Sequence, residues 1–298
     1  MLTLGLDIGG TNIRSGFVDG NLRLTDFLIT KTEDVFAAAA GGNGKKLTAY
    51  IAELAAKHSA KPDCVSLGVP STVDKTNRRI CSTPNIPGLN DIPIAGMVEE
   101  ALNLPCYVQR DVCFLLLHDI YEHKLSGAED FIAGFYAGTG LGNAIAYQGK
   151  LVTGKNGAAA ELGHIPVLGR TGICGCGNSG CIELYASGKH LAEIRDRHYP
   201  ALTIDEALRR HSQEKPIVDF LDALGAAIAT EINILDPGHV ILGGGVILQD
   251  GFPRAALEER ILAHTRRPYP ANGLEFIYSR ESQENGVIGA ALFAQSKM

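Results

Sequence analysis

The sequence predicts an α/β protein with mixed sheets, arranged as two lobes with related cores. Three observations carry that expectation. Short apolar runs that read as strands alternate with longer stretches of helical spacing. The chain opens with a strand, a glycine turn and a second strand, so its first sheet is not purely parallel. The same pattern recurs over 131–147, an internal repeat too widely spaced for a solenoid.

The elements follow in order. Residues 2–8 form an apolar run that ends at Gly9-Gly10, and the run resumes over 13–18 before an Asp19-Gly20 turn. Leu47, Ile51, Leu54 and Ala55 give 45–58 helical spacing, and 64–69 reads as a buried strand ending at Pro70. Asp74 to Pro93, rich in Asn, Pro and Thr, reads as an ordered loop. A helix over 94–102, a short strand over 106–109 and an apolar helix over 112–124 come next. Strands over 131–137 and 143–147 flank Gly138-Thr139-Gly140-Leu141-Gly142, with Gly149 closing this hairpin as Gly20 closes the first. Residues 154–183 are rich in Gly and Cys and show little periodicity. An amphipathic helix over 217–235 precedes a strand over 239–243 that enters Gly243-Gly244-Gly245. Helices near 253–265 and 286–296 enclose a strand over 274–278.

The chain has 298 residues, 45% hydrophobic and 20% charged, a balance that builds a core without staples. Net charge is −6 and the basic residues are scattered, which argues against nucleic acid as a partner. The N-terminus lacks the features of a signal peptide, and no apolar run is long enough to span a membrane. A cytoplasmic protein without a membrane partner is the expectation. Seven cysteines cannot all pair. Cys64, Cys81, Cys106 and Cys113 stand singly and read mostly as buried thiols, while Cys174, Cys176 and Cys181 are clustered.

Neither of two familiar glycine signatures fits. Gly44-Lys45-Lys46 lacks the spacing and the hydroxyl of a P-loop, and Gly138-x-Gly140-x-Gly142 lacks the spacing of a dinucleotide fingerprint and opens a strand. What remains is a pair of glycine hairpins, around Asp7-Ile8-Gly9-Gly10-Thr11 and around Gly138 to Gly142. Two readings stand for them. Glycines let backbone amides approach phosphate oxygens, with Thr11 and Thr139 adding hydroxyl donors and Asp7 able to hold Mg²⁺. Alternatively both are ordinary tight hairpins. An Asp within an apolar strand is costly unless paired or metal-bound, which favours the first reading for Asp7.

His164, Cys174, Cys176 and Cys181 fall within eighteen residues. Three thiolates and one imidazole suit tetrahedral zinc, and four protein ligands would make the site structural. The alternatives are free thiols on a loop or, less well matched, an iron–sulfur cluster. Closing the loop on a metal would fix Glu161, three residues before His164, and Glu183, two after Cys181. Carboxylates recognise sugar hydroxyls well because each accepts several hydrogen bonds.

Together these motifs resemble the ROK family of repressors, open-reading-frame proteins and kinases. The matching pieces are Asp7-Ile-Gly-Gly-Thr11, Thr83-Pro-Asn85-Ile-Pro87, Arg110-Asp111 and Gly138-Thr-Gly-Leu-Gly142. They continue with Glu161-Leu-Gly-His164, the run from Cys174 to Glu183, and Asp236-Pro237 through Gly245. The resemblance implies a two-lobed actin-like (ribonuclease H-like) ATPase fold with an interlobe cleft. The expected lobes are 1–109 plus 286–298, and 110–285 with the zinc loop. It implies that His164, Cys174, Cys176 and Cys181 bind zinc, and that Asn85, Asp111, Glu161, His164 and Glu183 line a hexose site. It implies ATP phosphates near Asp7, Gly9, Gly10, Thr11, Gly138, Thr139 and Gly140, the nucleoside near Gly243, Gly244 and Gly245, and a homodimer.

The family's repressors resemble its kinases but add an N-terminal helix-turn-helix, and this chain begins at its first strand, so a kinase is expected. Asp111 would act as base for the sugar 6-hydroxyl, or serve as the N-cap of the helix that follows. Two positions depart from the family pattern: Arg110 stands where Asn is common, and so does Cys113. Arg110-Asp111 with Ser82-Thr-Pro-Asn-Ile-Pro87 ahead resembles the D-allose kinases, which makes Arg110 a sugar-binding candidate. Pairing of Arg110 with a carboxylate outside the sugar site is the other reading. The resulting expectation is an ATP-dependent hexose kinase using Mg²⁺ and structural zinc. The alternatives are kinases for glucose, mannose, fructose or an N-acetylhexosamine, and a non-catalytic sugar sensor. An acetate-kinase relative does not fit the zinc loop.

Overall fold

A computed structural model describes residues 1–36, 42–83, 86 and 88–298. The chain divides into two compact units: 1–124 with 153–159 and 282–298, and 125–152 with 160–281.

The first unit contains β1 (Thr3–Ile8), β2 (Asn12–Val18), β3 (Leu24–Lys31), α1 (Thr32–Val35) and α2 (Asn43–Lys57). It continues with β4 (Cys64–Val69), β5 (Thr72–Val73), β6 (Ile80–Ser82), α3 (Ile94–Leu102), β7 (Cys106–Arg110) and α4 (Asp111–Glu122). The second unit contains β8 (Phe131–Ala137), β9 (Leu141–Tyr147), β10 (Lys150–Leu151), a 3₁₀ turn (Leu162–His164), α5 (Glu183–Ala186), α6 (Gly188–His198) and α7 (Ile204–His211). Then come α8 (Lys215–Leu235), β11 (His239–Gly243), α9 (Gly244–Ile247), α10 (Arg254–His264) and β12 (Phe276–Tyr278). The last helix, α11 (Asn285–Gln295), belongs to the first unit.

The expected repeat is real at the level of topology. The first sheet runs β3-β2-β1-β4-β7, and the second β10-β9-β8-β11-β12. In each, an antiparallel three-strand meander is extended by two parallel strands on the side of its first strand. Both sheets are therefore mixed.

Alternation along β1 explains its two-sided burial. Leu4, Leu6 and Ile8 join the core that holds Leu47, Ile51 and Val98. The opposite face meets α11 at close range: a Cβ on Gly5 would lie 2.7 Å from the Val287 carbonyl oxygen. In the second unit, α8 contributes Ile217, Phe220, Leu221, Leu224, Ile228 and Ile232 to one core. Each such side chain is worth about 1.5–3 kcal/mol when buried, so packing outweighs the modest helix propensity of its isoleucines.

Several elements differ from the sequence expectation. β3, α1, α5, α6 and α7 had no sequence-derived counterpart, and the 74–93 loop contains β6, paired antiparallel with β5. β9 begins at Leu141, so the second glycine turn is shorter than expected. No helix among the described residues is long and apolar enough to cross a membrane.

Candidate functional site

In the first unit, β1 carries Asp7 to the edge of the Gly9-Gly10 turn. The turn is closed by the Gly9 amide donating to the Asn12 carbonyl at 2.9 Å. The Thr32 hydroxyl donates to the Gly9 carbonyl at 2.7 Å, which ties α1 to the turn. Burial pushes the Asp7 carboxyl up, and the Arg14 guanidinium, 3.8 Å away, offsets part of that. α11 packs onto the same group, since a Cβ at Gly286 would come within 2.6 Å of the Asp7 carboxylate. A cation at this carboxylate would relieve the desolvation, so the donor chemistry fits Mg²⁺. Gly10 and Thr11 are exposed beside it.

Arg110 ends β7 and Asp111 is the first residue of α4. The N-cap reading of Asp111 is corrected: Arg110 occupies the cap position, with no side-chain cap. The Asp111 Oδ1 instead accepts from the Val112 amide at 2.8 Å, which orients the carboxylate against the first turn. This turn is packed down tightly, because a Cβ at Gly68 would lie 2.8 Å from the Phe114 ring. Arg110 is buried, and its Nη1 donates to the Ala159 carbonyl at 2.5 Å. That bond anchors the 153–159 segment to the end of β7. Asn85 lies outside the described residues.

In the second unit, the Gly138 amide donates to the Gly140 carbonyl at 3.0 Å and closes the second turn. A cavity of about 380 Å³ opens beside it, lined by Gly138, Thr139, Gly188, Lys189, Gly245 and Val246 among others. A Cβ built on Gly138 or Gly245 meets nothing within 4 Å, so both glycines leave backbone open to this space. Gly243 and Gly244 do not line it. Gly243 packs against Tyr136 and Ser279, and Gly244, at φ +89°, sits on the Ala137 backbone. Gly188 and Lys189 were not found in the sequence; the available signal was Ser187, which caps α6 by accepting from the His190 amide at 3.4 Å.

His164, Cys174, Cys176 and Cys181 converge, with their ligand atoms all within 4.8 Å of one another. Cys174 Sγ lies 3.6 Å from His164 Nδ1, and Cys176 Sγ lies 3.6 Å from Cys181 Sγ. A tetrahedron with Zn–S bonds of about 2.3 Å has sulfur–sulfur edges of about 3.8 Å. The donor set and spacing therefore fit a four-coordinate zinc. Burial, followed by hydrogen bonds with the neighbouring thiols, pushes Cys181 up to about 12, so a cation must displace its proton on binding.

Glu161 precedes the 3₁₀ turn and its Oε2 lies 3.8 Å from His164 Nε2, on the ring edge away from the cysteines. Glu183 opens α5, and its Oε2 accepts from the Leu141 amide at 3.0 Å. Thus the structure brings Glu161 to His164, and Glu183 to the second glycine turn. A Cβ at Gly163 would stand 2.7 Å from the Leu141 carbonyl oxygen, so the Glu161–His164 turn rests on the same strand end.

Comparison with known proteins adds the following. A sequence model described as "ROK family" matches residues 3–297. A glucokinase from Halalkalibacterium halodurans is 28% identical, covering 96% of this chain and 92% of its own. An N-acetyl-D-glucosamine kinase from Vibrio cholerae is 27% identical, covering 96% and 97%. A ROK family glucokinase from Streptomyces griseus, solved in complex with glucose and AMPPNP, has a TM-score of 0.78 and 28% identity. That match covers 99% of this chain and 100% of the other.

Proposed function

The chain belongs to the ROK family and is a hexose kinase of that type; from that premise we propose that it transfers the γ-phosphoryl group of ATP to the 6-hydroxyl of D-allose. The observation that carries the nucleotide part is the cavity at the second glycine turn. Open glycine backbone suits phosphate oxygens, and the Val246 and Ala192 wall suits a nucleoside.

In this reading Asp111 accepts the proton of the 6-hydroxyl as that oxygen attacks the γ-phosphorus and the bond to the β-phosphate oxygen breaks. A sugar hydroxyl is too weak an acid to ionise beforehand, so the proton moves during transfer. The Val112 amide donates to Oδ1 and holds the carboxylate at the start of α4. Asn85, Arg110, Glu161, His164 and Glu183 hold the other sugar hydroxyls. Asp7, Gly9, Gly10 and Thr11, with Gly138, Thr139 and Gly140, receive the phosphates, and Gly245 meets the nucleoside, with Gly243 and Gly244 packed as the strand end behind it. Asp7 would hold Mg²⁺, which supplies neutralising charge to the phosphates.

His164, Cys174, Cys176 and Cys181 would hold a structural zinc. Were His164 to hold the metal through Nδ1, which faces Cys174, its Nε2 would be left to donate towards Glu161 or a sugar hydroxyl. A homodimer in the cytoplasm completes the reading.

D-allose is favoured by Arg110, which stands beside the base in place of the family's usual Asn and is fixed by the Ala159 carbonyl. A second reading takes glucose or N-acetylglucosamine as the sugar, and the activities of the similar kinases favour it. Steady-state kcat/KM across D-allose, D-glucose, D-mannose, D-fructose and the N-acetylhexosamines separates them. A preference of at least tenfold for D-allose is expected. Preference for another hexose overturns the assignment of the epimer and leaves the kinase in place.

A further inference from the structure

Among the described residues, Lys189 is the only cation lining the cavity at the second glycine turn, and none of those lining it is a carboxylate. Its backbone is seated on the turn itself. The Lys189 amide donates to the Thr139 carbonyl at 3.1 Å, and the Gly188 amide donates to the Gly138 carbonyl at 2.8 Å. The approach is close enough that a side chain at Gly188 would overlap the Gly138 carbonyl and press on Val246. The position of Lys189 relative to Gly138 and Thr139 is therefore fixed by main-chain bonds.

Glu193, one helical turn further along α6 at i+4, is the ordinary partner for such a lysine. It pairs instead with His190, Nδ1 to Oε2 at 3.5 Å. Among the described residues no carboxylate pairs with Lys189, and the residue is exposed. A positive charge thus stands free at the rim of a cavity that also offers the Thr139 hydroxyl, two open glycine backbones and an apolar wall. A nucleoside diphosphate or triphosphate has the complementary parts: an apolar base and a dense run of negative charge.

We propose that Lys189 binds the polyphosphate of the donor nucleotide and so sets donor affinity in this chain. The inference rests on the kinase reading above and adds to it a side chain that directly meets the phosphates. Lysine acts there as a point charge on a flexible stem, so arginine should substitute for it and a neutral isostere should not.

The test uses the full-length, zinc-replete protein and calorimetric titration with ATP, ADP and adenosine. For Lys189→Gln the Kd for ADP and ATP is expected to rise about tenfold, a 1.4 kcal/mol change. Adenosine affinity should not move, and Lys189→Arg should stay within about twofold of the wild type. Raising the ionic strength should narrow the gap between wild type and Lys189→Gln. The KM for the sugar and the zinc content act as controls for an intact fold. If the wild type binds ADP and Lys189→Gln binds it equally well, the proposal is wrong and the kinase reading stands. If the wild type binds neither ATP nor ADP, the kinase reading falls and takes the proposal with it.

Discussion

The carboxylate of Glu183 accepts a hydrogen bond from the Leu141 amide at 3.0 Å, so the end of the cysteine-rich segment is joined to the second glycine turn. Glu183 Oε2 occupies the space that a side chain at Gly140 would need. Cys181 lies two residues before this contact and Gly138 three residues before it on the other side. The turn therefore owes its shape partly to the segment that the four metal-ligand candidates hold. Gly140→Ala should displace the Glu183 side chain and lower kcat/KM about tenfold while zinc content stays unchanged. Glu183→Ala should cost about 1–2 kcal/mol in stability by leaving the Leu141 amide without its acceptor. Steady-state kinetics and thermal unfolding check the pair, and a kinetically silent Gly140→Ala removes any role for the contact in turnover.

Zinc should be present at about one equivalent per chain in elemental analysis. Stripping it should lower both the thermal midpoint and kcat, and adding it back should restore them. Cys181→Ser should reproduce the stripped state, because a closed tetrahedral site tolerates no lost ligand. Cys81→Ser, at an exposed thiol outside the cluster, should change neither quantity.

Arg110→Asn restores the residue common in the family and breaks the bond to the Ala159 carbonyl. Selectivity for D-allose over D-glucose, as a ratio of kcat/KM values, should fall about tenfold. The thermal midpoint should fall as well, since a buried anchor is lost. An equal loss for both sugars would assign Arg110 to holding the 153–159 segment alone.

Asp74 organises the turn before β6. Its Oδ1 accepts from the amides of Arg78 at 2.9 Å and Arg79 at 2.7 Å, and its Oδ2 bonds the Thr76 hydroxyl. Desolvation raises its pKa, but these hydrogen bonds prevail and hold it below the usual carboxylate value of 3.8. A depressed pKa means that the stabilisation is complete above the unfolded value and is lost as pH falls through the folded one. Asp74→Ala should therefore lower the thermal midpoint at pH 7, with the gap to wild type closing as the solution is acidified below about pH 4. A gap that stays constant on acidification would contradict the role of the ionised carboxylate.

The glycine hairpins were legible because each interrupts a pair of apolar runs, and the metal cluster because its four ligands lie within eighteen residues. β3 was not legible: it is an edge strand whose Leu28 and Ile29 remain exposed, so it lacks a clean alternation. α6 and α7 are charged and polar helices whose apolar positions are few, among them Leu191, Ile194, Ala207 and Leu208. Their existence depends on burial against the second core more than on periodicity. Lys189 could not be singled out among the lysines and arginines, because its significance comes from main-chain bonds to a turn fifty residues earlier. The contact between Glu183 and Leu141 is tertiary in the same sense.

The most direct test of the central claim is phosphoryl transfer itself, followed with γ-labelled ATP, Mg²⁺ and D-allose, wild type against Asp111→Asn. The wild type should convert the sugar to its 6-phosphate, identified by NMR. Asp111→Asn should lower the transfer rate by about 10²–10⁴-fold, the range expected for loss of a general base, with sugar binding retained. Absence of any labelled sugar phosphate from folded, zinc-replete wild type with every hexose tried, or near-normal transfer by Asp111→Asn, would contradict the account.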